Sequence, residues 1–257
     1  MKPLDQPTDL KRYYEDRNVA TGYMDRRTTQ PLNGVLHGRQ VEFLNNVISR
    51  RALRMLLEIA CGPGRLTAAI RGVPFGVAVD ASPVMLETAQ QRMNGAAGRW
   101  SFLRTDAFVL PFRSGVFGGV YTLRFVRHFQ LDDRRRLYAE IRRVLRPGGI
   151  FMVDALNRDV SQPFRVQRGL ERYHIYDVLY RHDEIEAELR DNGFRVIATE
   201  GIIKHFPVQR RLNRLRRVRS LHGIARALIR SLDHIPGNNP SNWMLLCEKI
   251  EEDRASA

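Results

Sequence analysis

The sequence predicts a doubly wound α/β domain in which helices cover both faces of a mostly parallel, seven-stranded sheet. Three observations carry the prediction. From Arg54 onward, short apolar runs alternate with helical segments at the pitch of repeated βα units. The first run leads into a glycine bend, Gly62-Pro63-Gly64, and the second ends in an acidic residue, Asp80, eighteen positions after Gly62. In open α/β sheets, ligands bind at such strand ends, where the strand order reverses.

Residues 1–50 read as leading helices, because Val41, Phe43, Leu44, Val47 and Ile48 recur at helical spacing. Strands follow at Met55 to Ala60, Phe75 to Val79, Trp100 to Leu103, Val116 to Leu123 and Ile150 to Ala155. Their alternation with helices implies parallel pairing and burial on both faces. Ser82-Pro83 is a helix start, with Ser82 as N-cap and Pro83 at the first helical position. A second helix runs from about Leu131 to Leu145 and stops at Pro147-Gly148-Gly149. A third spans about Asp183 to Arg190, ends at Asn192-Gly193 and leads into a strand from Phe194 to Ile203. The last strand is Trp243 to Cys247. One domain is expected over residues 1–257, with its core at 51–160, the completion of that core at 161–203, a basic helical insertion at 204–240, and the last strand and tail at 241–257.

A chain of 257 residues, 43% hydrophobic, can bury a substantial core. No segment offers the roughly 20 apolar residues of a membrane span, and a soluble, cytoplasmic chain is expected. Cys61 and Cys247 cannot make a disulfide framework, and both read as structural residues in or beside strands. The seven histidines are scattered and no C-x-x-C pair occurs, so no metal site is expected. No Gly-x-Ser-x-Gly elbow supports a serine hydrolase.

The chemistry concentrates in Met55-Leu56-Leu57-Glu58-Ile59-Ala60-Cys61-Gly62-Pro63-Gly64-Arg65-Leu66-Thr67, which reads as a buried strand, a glycine turn and a helix start. Glycines at 62 and 64 let backbone approach a ligand closely, and a helix N-terminus would present unpaired N–H groups. Asp80, at the end of the neighbouring strand, can accept both hydroxyl hydrogens of a ribose. A dinucleotide site would require a third glycine at position 67, where this chain has Thr67.

Glu58-Ile59-Ala60-Cys61-Gly62-Pro63-Gly64 resembles the first motif of class I S-adenosylmethionine (SAM)-dependent methyltransferases. Val79-Asp80-Ala81-Ser82-Pro83-Val84-Met85-Leu86 resembles the following segment of the UbiE-like, type 11 branch. Thr105-Asp106-Ala107-Phe108 and Leu145-Arg146-Pro147-Gly148-Gly149-Ile150 are similar to that family's third-strand end and its turn into the fifth strand. The likeness covers about residues 50 to 160 and implies a Rossmann-like fold, SAM as methyl donor and S-adenosylhomocysteine (SAH) as product. It further implies that Glu58 and the Ala60, Cys61, Gly62 and Gly64 loop hold the methionine end, Asp80 the ribose, and Asp106 with Ala107 or Phe108 the adenine. Ala81 and Met85 would line the adenine face. For Asp106 a second reading is a turn-forming residue at a strand end, and for Met85 and Phe108 it is core packing.

Methyl transfer needs a general base only where the acceptor starts as a protonated oxygen or nitrogen, and histidine suits that task. His128, just beyond the fourth strand, is the candidate, with Tyr121, Arg124 and Asn157 as further acceptor contacts. The competing reading of His128 is a helix-start polar group paired with a neighbouring carboxylate such as Asp132. Tyr13, Tyr14 and Tyr23 form either a lid or ordinary packing on the core edge.

The formal net charge is +14. Lys204, Arg210, Arg211, Arg214, Arg216, Arg217, Arg219, Arg226 and Arg230 fall in residues 202–232, which hold no Asp or Glu. Leu212, Leu215, Val218, Leu221, Ala225, Leu228 and Leu232 give this stretch one apolar face, with an interruption expected near Gly223. Three readings stand: a solvated basic face, peripheral contact with an anionic membrane that presents a lipid-like acceptor, or binding of RNA. The stripe favours a small or lipid-like anionic acceptor over nucleic acid.

Overall fold

A computed structural model describes residues 4, 6–17, 19, 30–93, 100–237 and 239–251, without the side chains of residues 216, 217 and 219. Tyr23 lies outside the described residues, as do the side chains of Arg216, Arg217 and Arg219. Two helices lead the chain, α1 (Pro7–Glu15) and α2 (Pro31–Arg50). They are followed by β1 (Met55–Ile59), β2 (Phe75–Asp80), α3 (Pro83–Met93), β3 (Trp100–Arg104) and β4 (Phe117–Thr122). Next come α4 (Leu131–Val144), β5 (Leu145–Asn157), α5 (Arg158–Arg168), β6 (Leu179–Tyr180) and α6 (His182–Asp191). The chain closes with β7 (Phe194–Ile202), α7 (Phe206–Leu212), α8 (His222–His234) and β8 (Asn242–Lys249).

The sheet order is β3-β2-β1-β4-β5-β8-β7, with β6 pairing beside β5. All pairings are parallel except those of β8, which runs antiparallel to β5 and β7. The seven expected strands are present. The eighth, β6, has two residues and is too short to show a periodic signal. Strand order reverses between β1 and β4, which opens a crevice at their carboxyl ends.

Period-two alternation divides the core. Leu57, Ile59, Val120, Phe151 and Val153 face α4 and α6, whereas Leu56, Tyr121, Met152 and Met244 join Leu44 and Ile48 of α2 and Ile229 of α8. Each fully buried Leu or Ile contributes about 1.5–3 kcal/mol. Ser82 caps α3 as expected, its Oγ accepting from Met85 N–H at 3.3 Å.

Three expectations need correction. The stretch after Gly64 forms a single 3-10 turn, Thr67–Ala69, and no α-helix. Only seven residues separate Gly64 from Gly72 at φ 73°, and Pro74 returns the chain to the sheet, so no further turn fits. Helix α5 was not foreseen: it holds Pro163 and buries none of its residues, which leaves it without a core-facing stripe. The break in the basic segment falls at 3-10 turns, Asn213–Arg217 and Arg219–Leu221, with Gly223 inside the first turn of α8.

Two glycines of the first motif differ in what surrounds them. A Cβ on Gly64, at φ 71°, would meet Ala89 Cβ of α3 at 2.9 Å and its Cα at 3.0 Å. Gly64→Ala should therefore lower stability by roughly 1–3 kcal/mol, through left-handed backbone strain plus overpacking. Thermal unfolding would check this, and an unchanged melting temperature would contradict the packing described.

Candidate active site

The crevice forms a cavity of about 220 Å³ walled by the ends of β1, β2 and β4, the loop after β3, and α1. Ala60, Gly62, Asp80, Ala81, Met85, Asp106, Ala107, Phe108, Arg124 and His128 all line it, so ten of the expected residues converge on one space. Three of these backbones are left-handed or nearly so: Ala60 at φ 55°, Gly62 at φ 55° and Arg124 at φ 63°. Non-glycine residues reach that region only where surroundings enforce it, and such strain gathers at functional sites. A Cβ on Gly62 would meet nothing within 4 Å. The bend thus leaves open space on the cleft wall at Gly62.

Asp80 organises the cradle. Its Oδ2 accepts from Gly62 N–H at 2.8 Å and its Oδ1 from Ser82 N–H at 2.9 Å. Burial pushes its pKa up, and the backbone donors of Ser82, Gly62 and Ala81 act against that rise. Each carboxylate oxygen keeps a second lone pair for a ribose hydroxyl. Asp106 accepts from Phe108 N–H at 3.0 Å, so it builds its turn and lines the cleft at once. Phe108 stacks edge-on against Phe129.

Glu58, Cys61, Gly64 and Tyr121 are not brought to the cleft wall. Strand alternation turns Glu58 toward the α2 face, opposite its cross-strand neighbour Tyr121. Its Oε2 accepts from Tyr121 OH at 2.6 Å and Thr67 Oγ1 at 2.5 Å. The carboxyl is 3% exposed, and burial raises its pKa to about 7. Glu58 and Tyr121 therefore brace the glycine bend from behind. Cys61 is buried, with its thiol pushed well up by burial and by Glu58. Asn157 is also structural: its Oδ1 caps α5 through Asp159 N–H, and its Nδ2 donates to Asn239 and Pro240.

His128 sits at the opposite end of the cleft from the β2 and β3 tips. Its Nδ1 lies 2.9 Å from the Tyr176 carbonyl and 3.0 Å from Asp177 Oδ1, both of which are pure acceptors. Nδ1 must then carry the proton, which leaves the Nε2 lone pair as the ring's basic position. Asp132 is not its partner, since that carboxylate pairs with Arg135 on the surface. Asp177 is held by Arg127 at 2.9 Å and Arg165 at 2.6 Å. Burial would raise the Asp177 carboxyl, but Arg127, the His128 hydrogen bond and Arg165 hold it well below the usual range. Arg127 also reaches Asp154 Oδ2 at 3.2 Å, while Asp154 Oδ1 accepts from Arg124 N–H at 2.5 Å. One chain of charges thus fixes both His128 and the strained turn at Arg124.

Helix α1 closes the cleft with Pro7, Thr8, Leu10, Lys11 and Tyr14. The Tyr14 backbone carbonyl accepts from Ser82 Oγ at 2.9 Å. Tyr13 packs edge-on against Tyr14 and His174. Sequence reasoning named Tyr14 but missed Asp177, Tyr176 and the Pro7, Thr8, Leu10 and Lys11 contributions of α1, because no local spacing joins them to the motifs.

Comparison with known proteins agrees with this geometry. A family profile described as a methyltransferase domain matches residues 56–149. The O-methyltransferase resE of Aspergillus sclerotiorum is 30% identical over 188 residues, covering 70% of this chain and 69% of that protein. The O-methyltransferase rstn1 of Aspergillus nomiae is 28% identical over 186 residues, covering 70% and 81% respectively. Among solved structures, the magnesium protoporphyrin IX methyltransferase of Synechocystis PCC 6803 with bound SAH superposes with a TM-score of 0.65. It shares 14% identity and is covered over 95% of this chain and 100% of that one, a likeness of fold. Fold and cleft together define a SAM-dependent methyltransferase. The chain belongs to the class I methyltransferase family, and SAM is its cofactor.

Two outcomes test the site. Asp80→Ala should weaken SAM binding by roughly 1–3 kcal/mol, the scale of lost charge-assisted hydrogen bonds; calorimetry showing unchanged affinity would remove Asp80 from the cradle. Because the Glu58 pKa is raised on folding, its contribution to stability is full below the unfolded value of 4.5 and is lost as pH rises through about 7. Glu58→Gln should flatten this loss by about 3 kcal/mol at most between pH 5 and 8. Urea unfolding at both pH values checks it, and parallel pH dependence in the two proteins would contradict it.

Proposed function

We propose that this enzyme is an O-methyltransferase in which His128 takes the proton of an acceptor hydroxyl while that oxygen attacks the methyl group. The carrying observation is the locked Nδ1 of His128, set between the Tyr176 carbonyl and Asp177, with the ring on the cleft wall. Relatives named O-methyltransferases support the choice of oxygen.

In this reading Asp80 takes the ribose hydroxyls, Asp106, Ala107, Phe108 and Met85 enclose the adenine, and the Ala60-to-Gly62 turn cradles the methionine end. Bound SAM supplies a methyl group on a sulfonium that departs as a neutral thioether. The protein's own work is positioning and proton removal. Arg124 and Phe125 wall the acceptor side, and Phe129 excludes water behind His128. The Asp177 carboxylate stabilises the imidazolium formed when Nε2 gains the acceptor proton, and it keeps the ring in one orientation. Holding oxygen, methyl carbon and sulfur in line supplies much of the remaining acceleration.

His128→Ala should lower kcat by about 10²–10⁴-fold with SAM affinity retained. Single-turnover methylation of a hydroxylated acceptor, alongside calorimetry with SAM, makes the measurement. Full activity in the variant would dismiss His128 as the base.

A further inference from the structure

A second cavity, of about 890 Å³, opens on the other side of α1. Its volume falls in the roughly 300–1,000 Å³ range of small-molecule sites. Phe164, Tyr173 and Phe206 supply aromatic walls, and Arg168, Arg210 and Arg214 supply the charge, with no Asp or Glu among the described lining residues. Tyr14 lines both this cavity and the cofactor cleft. The 173–175 stretch that borders it continues directly into Tyr176 and Asp177, which hold His128.

Arg127, Arg134, Arg143, Arg158, Arg165 and Arg195 all pair with carboxylates. Among the described residues, Arg168, Arg210 and Arg214 have none. Arg210 instead lies 4.1 Å from the Phe164 ring centroid, with Arg168 at 5.2 Å. Arg210 Nη1 also donates to Gln167 Oε1 at 3.5 Å, and the stacked guanidinium holds its other N–H groups in the plane that matches an oxyanion in bidentate fashion. Burial and the neighbouring Arg168 and Arg214 push the Arg210 pKa down, the electrostatic cost of like charges gathered without a counter-ion. Helix α5, which carries Phe164 and Arg168, buries no residue in the core. Arg158 and Arg165 of this helix pair with Glu184 and Asp177, whereas Phe164 and Arg168 line the cavity.

We propose that this cavity recognises an aromatic ring bearing an oxyanion, a carboxylate or a phosphate ester, and that this ring belongs to the acceptor whose hydroxyl reaches His128. The word acceptor rests on the O-methyl-transfer reading above; the ring-and-anion site rests on the cavity alone. The stacked arginines grip the oxyanion, the three aromatic residues flank the ring, and Tyr14 forms the partition from the cofactor.

The test uses the full chain saturated with SAH and three probes: 2-naphthoate, 2-naphthyl phosphate and the neutral 2-naphthamide. Calorimetry should show at least one anion binding tenfold or more tightly than the amide, and the tighter anion identifies the head group. The double variant Arg210→Gln, Arg214→Gln should lose that preference while keeping SAH affinity and melting temperature, and Arg210→Lys should retain part of it. Equal binding of amide and anions, or a preference that survives the double Gln variant, overturns the proposal. His128→Ala separates the two readings, because it should lose methyl transfer yet bind the anion as the parent chain does. Transfer retained in His128→Ala counts against the base alone, and equal binding of anion and amide by the parent chain counts against the cavity alone.

Discussion

The Asp154–Arg127–Asp177 chain of charges is the constraint on which the active end of this molecule depends. Asp154 stands on the central strand β5, Arg127 follows β4, and Asp177 lies just before β6, so one guanidinium joins three segments distant in sequence. Both carboxylates are nearly buried, and neither could remain ionised there without the cation between them. Removal of one member of such a set leaves an uncompensated buried charge, which costs about 3–5 kcal/mol. The same carboxylates hold the imidazole of His128 and the left-handed backbone of Arg124, so structural need and chemical orientation are met by one network.

A second charged anchor explains how a strongly basic segment folds at all. Arg39 of α2 reaches Glu200 of β7 at 2.6 Å and the fully buried Asp233 of α8 at 3.1 Å. Asp233 also accepts from Lys204 N–H at 2.9 Å, and Gln209 bonds the Ile229 carbonyl at 3.0 Å. The insertion is therefore clamped to the sheet through its few acidic and amide groups, with Ala225 and Ile229 as its buried apolar contacts. Its apolar stripe is only partly used, since Val218 and Leu228 remain exposed. What is left over is the arginine content, part of which turns toward the cavity beside α5.

Features set by local backbone chemistry were readable in the sequence. The bend at Gly62 to Gly64, the cap at Ser82-Pro83 and the acid at the end of β2 each follow from what a turn, a helix start or a strand end requires of nearby residues. Features that depend on which face a strand turns inward were harder. Glu58 belongs to the first motif, yet alternation sends it behind the bend to Tyr121 and Thr67. The partners of His128 lie 48 residues away at Tyr176, joined only by tertiary packing. Helix α5 is short, polar on average and interrupted by Pro163, and none of its residues is buried, so no core stripe announced it.

Helix α1 covers the cofactor cleft with little to hold it. Leu10 is its one buried residue; its further contacts include a bridge from Leu4 to Ile175, the Tyr14 carbonyl bonded by Ser82, Tyr13 OH against His174 and an Arg104–Glu15 pair at 3.5 Å. One buried Leu and hydrogen bonds at the rim bind this helix less firmly than full burial binds the central strands. Detachment of this helix is accordingly a local event that leaves the sheet intact. Entry of donor and exit of spent product can proceed by fraying at the amino end, on a timescale decoupled from global unfolding, and amide protons of α1 will exchange with solvent well before those of β4.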